Sequence, residues 1–444
     1  MIKFEDQKLS SFAGLVIFQP LFSILNLKDR LRLCFRHLKV VPLFGHHVIA
    51  LLLIVHLLIG YRKLRDMDYY KDDPMVKRIL GLNRLPDVST VSRALSHLDD
   101  RSIANVRGLS REIVLERLKK LNPRRVTLDF DGSVYYTTGR NIEGTAVGFN
   151  KKKKGARSYY PLFCTIAQTG QVFDIHHRPG NVHDSNGAKE FIKQCADYIR
   201  EALPNIKIEI RMDSAFFSED IVFMLDDSSI ELTTSVPFER FAELKSMIEN
   251  KKRWKSLDST WSYFESCWKP KKWENDYRFI FVRQKVKKMS KDPVQLDLFI
   301  PYEYGYDFKV IVTNKKIKAK KVLMFHNGRG SQENVFGELK NQCQMDYIPV
   351  KTLHGNQLFL MASVLAHNLA RELQLAANPT PARGTTEKRT PLWIFEQVKT
   401  IRHNLIQRAG RLTTPKGKLT LVLSPNKTVK QDIMHFLDAF KKAA

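Results

Sequence analysis

Along the first third of the chain, apolar residues recur three and four positions apart, the spacing of helices with one buried face. Leu21, Ile24, Leu25, Leu31, Leu33 and Leu38 are interleaved with basic residues, and the apolar run from Val48 to Gly60 predicts a buried helix. Pro74 to Leu80, closed by Gly81, predicts a short helix, and a turn through Leu85-Pro86-Asp87 leads to a second that starts near Ser89. Val91, Ala94, Leu95 and Leu98 would face inward, and Thr90, Ser92, Arg93 and His97 outward. Two short helices joined by a tight turn, the second with a polar and basic outer face, resemble a helix-turn-helix, with Ser92 and Arg93 as candidate DNA contacts. Any small helical bundle offers such pairs, so the pattern alone does not decide it.

From Pro123 the period changes to two. Val126-Thr127-Leu128-Asp129-Phe130-Asp131 alternates as a strand does and sends both carboxylates to one side. Thr145–Phe149, Tyr160–Ala167 and Val172–Ile175 predict further strands, with the run Lys151 to Lys154 between the first two as a solvated loop or a phosphate contact. A turn from Arg178 to Asp184 opens a helix from Asn186 to about Glu201, and Ile206 to Asp213 predicts a strand ending in another aspartate. A helix, Glu219 to Asp227, and a strand, Ile230 to Val236, complete an α/β order. Between about 237 and 322 that order breaks. Trp254, Trp261, Trp268 and Trp273 stand there among lysines, and Phe279–Val286 and Phe308–Thr313 predict strands, as in a β-rich insertion. Tryptophan is more often core than a platform for bases. Beyond it, Leu358, Met361, Ala362, Leu365 and Leu369 mark a long core helix, and Asn378 to Thr386 reads as a linker. A helix around Trp393–Gln407, a strand Leu419–Leu423 and a helix around Val429–Lys442 close the chain.

The stretch from Phe325 to Lys340 concentrates candidate chemistry. Gly328 and Gly330 flank Arg329 and predict an open loop, with Ser331 as the N-cap of the next helix. Val335, Phe336, Leu339 and Cys343 give that helix one apolar stripe, and Glu333 and Lys340 fall about 20° apart after two turns. A carboxylate and two cations thus gather at one helix end, although an acidic first turn also simply favours the helix dipole.

Composition sharpens the class. The chain has 444 residues and a formal charge of +27, which points to a polyanion partner, because each phosphate contact releases condensed counterions. The run Val48 to Gly60 is too short to cross a bilayer and contains His56, so no membrane role is expected. No secretory pattern opens the chain, and Cys34, Cys164, Cys195, Cys267 and Cys343 are scattered, as reduced core thiols are. A cytoplasmic, nucleoid-associated nucleic-acid protein is the expectation.

Three separated acids now stand at the ends of predicted elements: Asp131 with Asp129, Asp213, and Glu333. Strand ends of an open α/β sheet are where ligands bind. Converging carboxylates need a cation between them, and hard oxygen donors select Mg²⁺ or Mn²⁺. Two such ions can activate a water or a 3′-hydroxyl and stabilise the leaving oxygen of a phosphodiester. Singly, each aspartate reads more readily as a turn or cap residue, and Asp213-Ser214 before a helix is a natural N-terminal pair.

Together these residues resemble the DDE transposases of bacterial insertion sequences, in the group with a Y-R-E-K signature. His326, Arg329, Glu333 and Lys340 match its spacing, with histidine in place of tyrosine. Asp131-Gly132-Ser133 resembles the family's first acidic motif, and Arg211-Met212-Asp213-Ser214-Ala215-Phe216 its second. Arg178 to His183 resembles the loop before its central helix. The resemblance spans about residues 123 to 375 and extends loosely to the N-terminal helices. It implies an RNase H-like α/β core (123–236 and 323–375) interrupted by a β-rich insertion (237–322), after an all-helical DNA-binding region (1–122) and before a C-terminal region (376–444). It also implies Asp131, Asp213 and Glu333 as catalytic ligands of two Mg²⁺ ions, Asp131 bridging both, with Mn²⁺ able to substitute. His326, Arg329 and Lys340 would contact phosphates at the transposon end. The expected activity is cutting at terminal inverted repeats and joining of the 3′-OH to target DNA by a homodimer on DNA. The rivals are a nuclease that cuts without joining and a DNA-binding protein without catalysis. Asp129 remains an alternative to Asp131, which is favoured by its Gly-Ser context. Glu338 lies about 140° round the helix from Glu333, and the signature spacing selects Glu333.

Overall fold

The computed structural model describes residues 7–39, 43–148, 150, 153–183, 186–285 and 305–441. Phe149, Lys151, Lys152, Asp184, Val286 and Lys442 lie outside the described residues. After a two-residue strand β1 (Leu9–Ser10), α1 (Phe18–Ile24) and α2 (Leu27–Cys34) lead to α3 (His46–Ile59). Every residue of α3 except His47 is buried, so it packs on neighbours all round its axis, as an apolar helix must in water. The Asp73 carboxylate accepts from the Met75 and Val76 N–H groups and starts α4 (Pro74–Leu80), which Gly81 ends in a left-handed turn. α5 (Val88–Ser96) and α4 both pack on α3, and α6 (Asp100–Leu121) begins at the Asp99 cap.

The sheet follows. β2 (Arg125–Gly132) is succeeded by β3 (Tyr135–Thr137), β4 (Ala146–Val147), β5 (Arg157–Tyr159), β6 (Leu162–Ile166) and β7 (Gln171–His176). Then come α7 (Ala188–Ala202), β8 (Lys207–Met212), α8 (Glu219–Asp227), β9 (Glu231–Val236) and α9 (Ala242–Glu249). β10 (Lys255–Ser256), β11 (Trp261–Trp268), β12 (Tyr277–Lys285) and β13 (Tyr306–Thr313) complete the strands that concern the site. Among the described residues nine strands form one mixed sheet in the order β10-β11-β12-β13-β9-β8-β2-β6-β7, with β2, β8 and β9 parallel. The stretch expected as a β-rich insertion therefore continues the sheet, because β13 pairs antiparallel with β9 from Thr313↔Thr233 to Val310↔Val236. Its tryptophans serve packing: Trp273 is in the core, and Trp254 and Trp268 lie against it.

The two faces of β2 and β8 differ in kind. Val126, Leu128 and Phe130, with Ile208, Ile210 and Met212, form a core with α7 and α8. The alternate positions, Thr127, Asp129, Asp131, Glu209 and Arg211, face α10 (Ala319–Asn327), α11 (Gly330–Gln342) and the chain around Lys388. α12 (Leu353–Ala377) runs through the other core, joining α3 and α6.

Four expectations are corrected. Residues 325–330 are not an open loop: α10 and α11 nearly abut, and Gly328 has ordinary helical backbone. Gly328 is required for space, since a Cβ there would lie 1.8 Å from the Lys388 carbonyl oxygen. The helix start also moves from Ser331 to Arg329, which takes the N-cap place. The segment read as a linker docks back: Arg383 N–H donates to Leu392 O and Leu392 N–H to Gln168 O, both at 2.9 Å. Finally, the helix expected over Trp393–Gln407 shrinks to α13 (Val398–Ile401) and one π turn, Arg402–Ile406. There Arg402 is drawn into donating to the carbonyls of Leu57, Leu58 and Gln342. β14 (Gly410–Thr413) and β15 (Thr420–Leu423) pair with β1 in a small sheet, and α14 (Lys427–Lys441) returns to the helical core.

Candidate active site

The register of two parallel strands places the carboxylates. Asp129 of β2 lies level with Arg211 of β8. Two residues further on, Asp131 therefore comes level with Asp213, on the same charged face, because side chains alternate along a strand. Asp131 is half-buried, with Oδ2 2.9 Å from Arg329 Nη1 and Oδ1 accepting from the Gly132 N–H at 2.8 Å. Burial pushes its carboxyl up to about 6; the Arg329 charge opposes that rise and the Asp213 charge adds to it. Gly132 follows because Tyr160 crowds the strand end, where a Cβ would meet the ring at 2.5 Å. Asp213 accepts from the Ala215 N–H at 3.0 Å, while its own carbonyl accepts from Thr234 Oγ1 at 2.6 Å.

The open alternatives have other employment. Asp129 is buried in a two-pronged ion pair, its carboxylate oxygens 2.5 and 2.7 Å from Nε and Nη2 of Arg211. Glu338 is buried too, paired with Arg371 and accepting from the Val398 N–H at 2.8 Å. Glu333 is exposed in the first turn of α11, one turn beyond Arg329. Asp131 and Asp213 are thus brought together, and Glu333 is not gathered with them. Among the described residues no three acidic, histidine or cysteine side chains are close enough to hold one metal ion. Two adjacent carboxylates, one raised by burial and further by the other's charge, nevertheless fit a hard divalent cation by donor chemistry.

The cations divide. Arg329 is spent on Asp131. Lys340 Nζ lies 3.4 Å from the Val134 carbonyl and lines a cleft of about 1240 Å³ that begins at Gly132 and Ser214, beside the two aspartates. Arg62, Arg240 and His183 line the same cleft, along with Tyr135, Tyr136 and Phe336. Its wall depends on a close approach of two loops, since a Cβ on Gly148 would lie 1.7 Å from the Gly180 carbonyl oxygen.

His326 corrects an expectation. It is buried, with Nε2 2.9 Å from Ser235 Oγ and Nδ1 3.1 Å from Thr233 Oγ1. Burial and the charges of Lys309, Arg329 and Arg211 hold it well below the usual histidine range, so it is a neutral link between α10 and β9. A phosphate cannot reach it here, because the helix turn that replaces the expected loop points the ring at the sheet. Ser92 and Arg93 lie on α5, Ser92 half-buried and Arg93 exposed, and neither lines the cleft.

Two residues escaped the sequence reading. Lys309 on β13 donates to Asn327 Oδ1 at 3.3 Å, and burial, with Arg329 nearby, pushes its ammonium down to about 8. Arg211 was visible only as part of the Arg-Met-Asp string. The available signal was its offset of two from Asp213, which matches that of Asp129 from Asp131.

Across residues 1–444 the chain matches the family Transposase DDE domain group 1. No curated protein matches it. Among solved structures, it is similar to a piggyBac transposase synaptic complex with hairpin DNA, at 13% identity and a TM-score of 0.45, covering 88% of this chain and 79% of that one. It also matches a Mos1 transposase paired-end complex with the left transposon end, at 12% identity and a TM-score of 0.19, over 40% of this chain and 57% of that one.

Proposed function

Because the chain belongs to the DDE transposases, an enzyme family that moves DNA by cleavage and strand transfer, we propose how its residues share that work. Asp131, Asp213 and Glu333 would hold the divalent ions, Mg²⁺ or Mn²⁺. When bound, these ions would favour deprotonation of the attacking water or 3′-hydroxyl and offset charge on the leaving oxygen. The observation that carries this reading is Asp131 standing close to Asp213 where parallel β2 and β8 end, beside a cleft lined by Lys340, Arg240 and the Arg62–Asp346 ion pair.

The protein's own groups do the positioning. Arg329, on release from Asp131, and Lys340, at the cleft wall, would each orient a phosphate of the transposon end. Arg62 and Arg240 would extend the same track for the backbone. Glu333, on the exposed side of the first turn of α11, would turn its side chain towards the aspartates while the helix keeps its place. The strands β7-β6-β2-β8-β9, with two antiparallel pairings followed by two parallel ones, support an RNase H-like core. Residues 1–122 would bind the terminal repeats through α5, including Ser92 and Arg93. We further propose a homodimer on DNA, since both ends must be held together. The Arg329, Glu333 and Lys340 spacing supports a place in the Y-R-E-K group of bacterial insertion sequences, acting at the nucleoid.

The test is Mg²⁺- or Mn²⁺-dependent cleavage and joining of a DNA fragment carrying the element's own ends. The wild type should give joined products. Asp131→Asn, Asp213→Asn and Glu333→Gln should each lose them while DNA binding is retained. Nicks without joined products would indicate a nuclease, and binding without nicks under either metal would indicate a DNA-binding protein. Activity lost in Glu338→Gln but kept in Glu333→Gln would overturn the third ligand.

A further inference from the structure

We propose that Arg211 is a positioning residue: a buried four-bond clamp that holds the three acid-bearing segments in one geometry. The inference rests on Asp131, Asp213 and Glu333 being the ligands. Arg211 has no exposed surface. Nε and Nη2 grip the Asp129 carboxylate of β2, while Nη1 donates to the Phe325 carbonyl at 3.0 Å and the Lys388 carbonyl at 2.7 Å. Its guanidinium also lies over the Phe325 ring, 5.2 Å from the centroid.

Each grip has a consequence one step along the chain. Arg211 precedes Asp213 by two residues on β8, and Asp129 precedes Asp131 by two on β2, so the ion pair sets the level of one aspartate against the other. Phe325 lies in the last turn of α10, just before Arg329 and Glu333, so the third bond sets the height of the α10–α11 junction above the sheet. Gln332, next to Glu333 and buried, adds a bond from Nε2 to the Asp129 carbonyl at 2.9 Å. Gly328 keeps the junction down on the clamp, since a Cβ there would lie 2.3 Å from Arg211 Nη1. A planar fork with five N–H donors can make these bonds together, and a lysine ammonium cannot.

A buried ion pair that only filled space would affect folding and nothing else. Positioning predicts instead a change in metal affinity with the fold intact. The experiment is Mn²⁺ binding to the full-length chain, followed by electron paramagnetic resonance, with unfolding midpoints measured in parallel. Arg211→Lys keeps a cation beside Asp129 but loses the fork. The Asp129→Leu/Arg211→Met double variant removes the charges together, an exchange that buried pairs often tolerate. Both should raise the Mn²⁺ concentration for half-occupancy by about ten- to a hundredfold, as losing support behind metal ligands does. Excess Mn²⁺ should then restore cleavage of end-bearing DNA. Unchanged Mn²⁺ binding in a folded Arg211→Lys protein would overturn the proposal, and that variant decides the matter if the double variant does not fold. Asp131→Asn is the control. If it binds Mn²⁺ as the wild type does, the ligand assignment fails and the clamp with it; if it loses Mn²⁺ while Arg211→Lys does not, only the clamp fails.

Discussion

Asp131 is where charge is most finely set. Its carboxyl rises from an ordinary 3.8 to about 6, so at neutral pH it is ionised with little margin. Protons and metal compete for this carboxylate, so Mn²⁺ binding at sub-saturating metal should weaken as pH falls below about 6, as titrations of the metal-free protein at several pH values will show. The same shift acts on folding. Between about 3.8 and 6 the folded protein keeps a proton that the unfolded chain has released, so metal-free stability declines as pH rises through that window. Thermal melts across the window should show Asp131→Asn lacking this slope. Glu209 has the opposite sign. Burial alone would raise it, but Arg389 and Lys315 hold it down at about 2. Its stabilisation is present above its ordinary 4.5 and is lost as pH falls towards 2. Because Lys315 is buried against it, Glu209→Gln should cost about 3–5 kcal/mol at neutral pH in denaturant unfolding.

At the scale of elements, the junction of α10 and α11 carries the most information. Gly328→Ala forces a methyl group into the Lys388 carbonyl and should cost about 1–3 kcal/mol by chemical unfolding, as overpacking does. It should also weaken cleavage, since Arg329 and Glu333 ride on that junction. The apolar stripe of α11, with Val335, Phe336, Leu339 and Cys343, was legible by its spacing, and all four residues are buried. The backbone before it is helical where its composition predicts a loop. Glycines flanking an arginine look like a loop when only their conformational freedom is considered, and here Gly328 is required for close approach instead. The fate of residues 378–397 was equally hidden, because their polar composition says nothing about the Glu209 carboxylate and Gln168 carbonyl that receive them.

The whole molecule presents a +27 charge, with a cleft that gathers Arg62, Arg240 and Lys340 beside the aspartates. Binding of end-bearing DNA should weaken steeply with salt, and Lys340→Ala should reduce the log–log slope by about 1 with little change in sequence preference. Filter binding between low and physiological salt will measure it. The helical core works at the same scale. α3, α6, α12 and the C-terminal helix share one set of apolar contacts, so truncation within α14 should destabilise the N-terminal helices together with it, as a single cooperative loss in hydrogen exchange.

Sequence alone determined what depends on local period and spacing. The strand Val126 to Asp131, the helix Glu219 to Asp227, the long apolar helix after Leu353 and the offsets linking Arg329, Glu333 and Lys340 are properties of neighbouring residues. So is the presence of separated acids in a strongly basic chain, from which a metal-dependent DNA enzyme could be read. Tertiary structure decided which of those acids are available. Asp129 and Asp131 are equivalent in a strand pattern and differ only because Arg211, on another strand, meets one and Arg329, on a later helix, meets the other. Glu333 and Glu338 are separated in the same way by Arg371. His326 kept the signature's spacing and lost its exposure to two hydroxyls on β9. A one-dimensional pattern records which face a side chain takes, and the partner waiting on that face is set by contacts between residues tens to hundreds of positions apart.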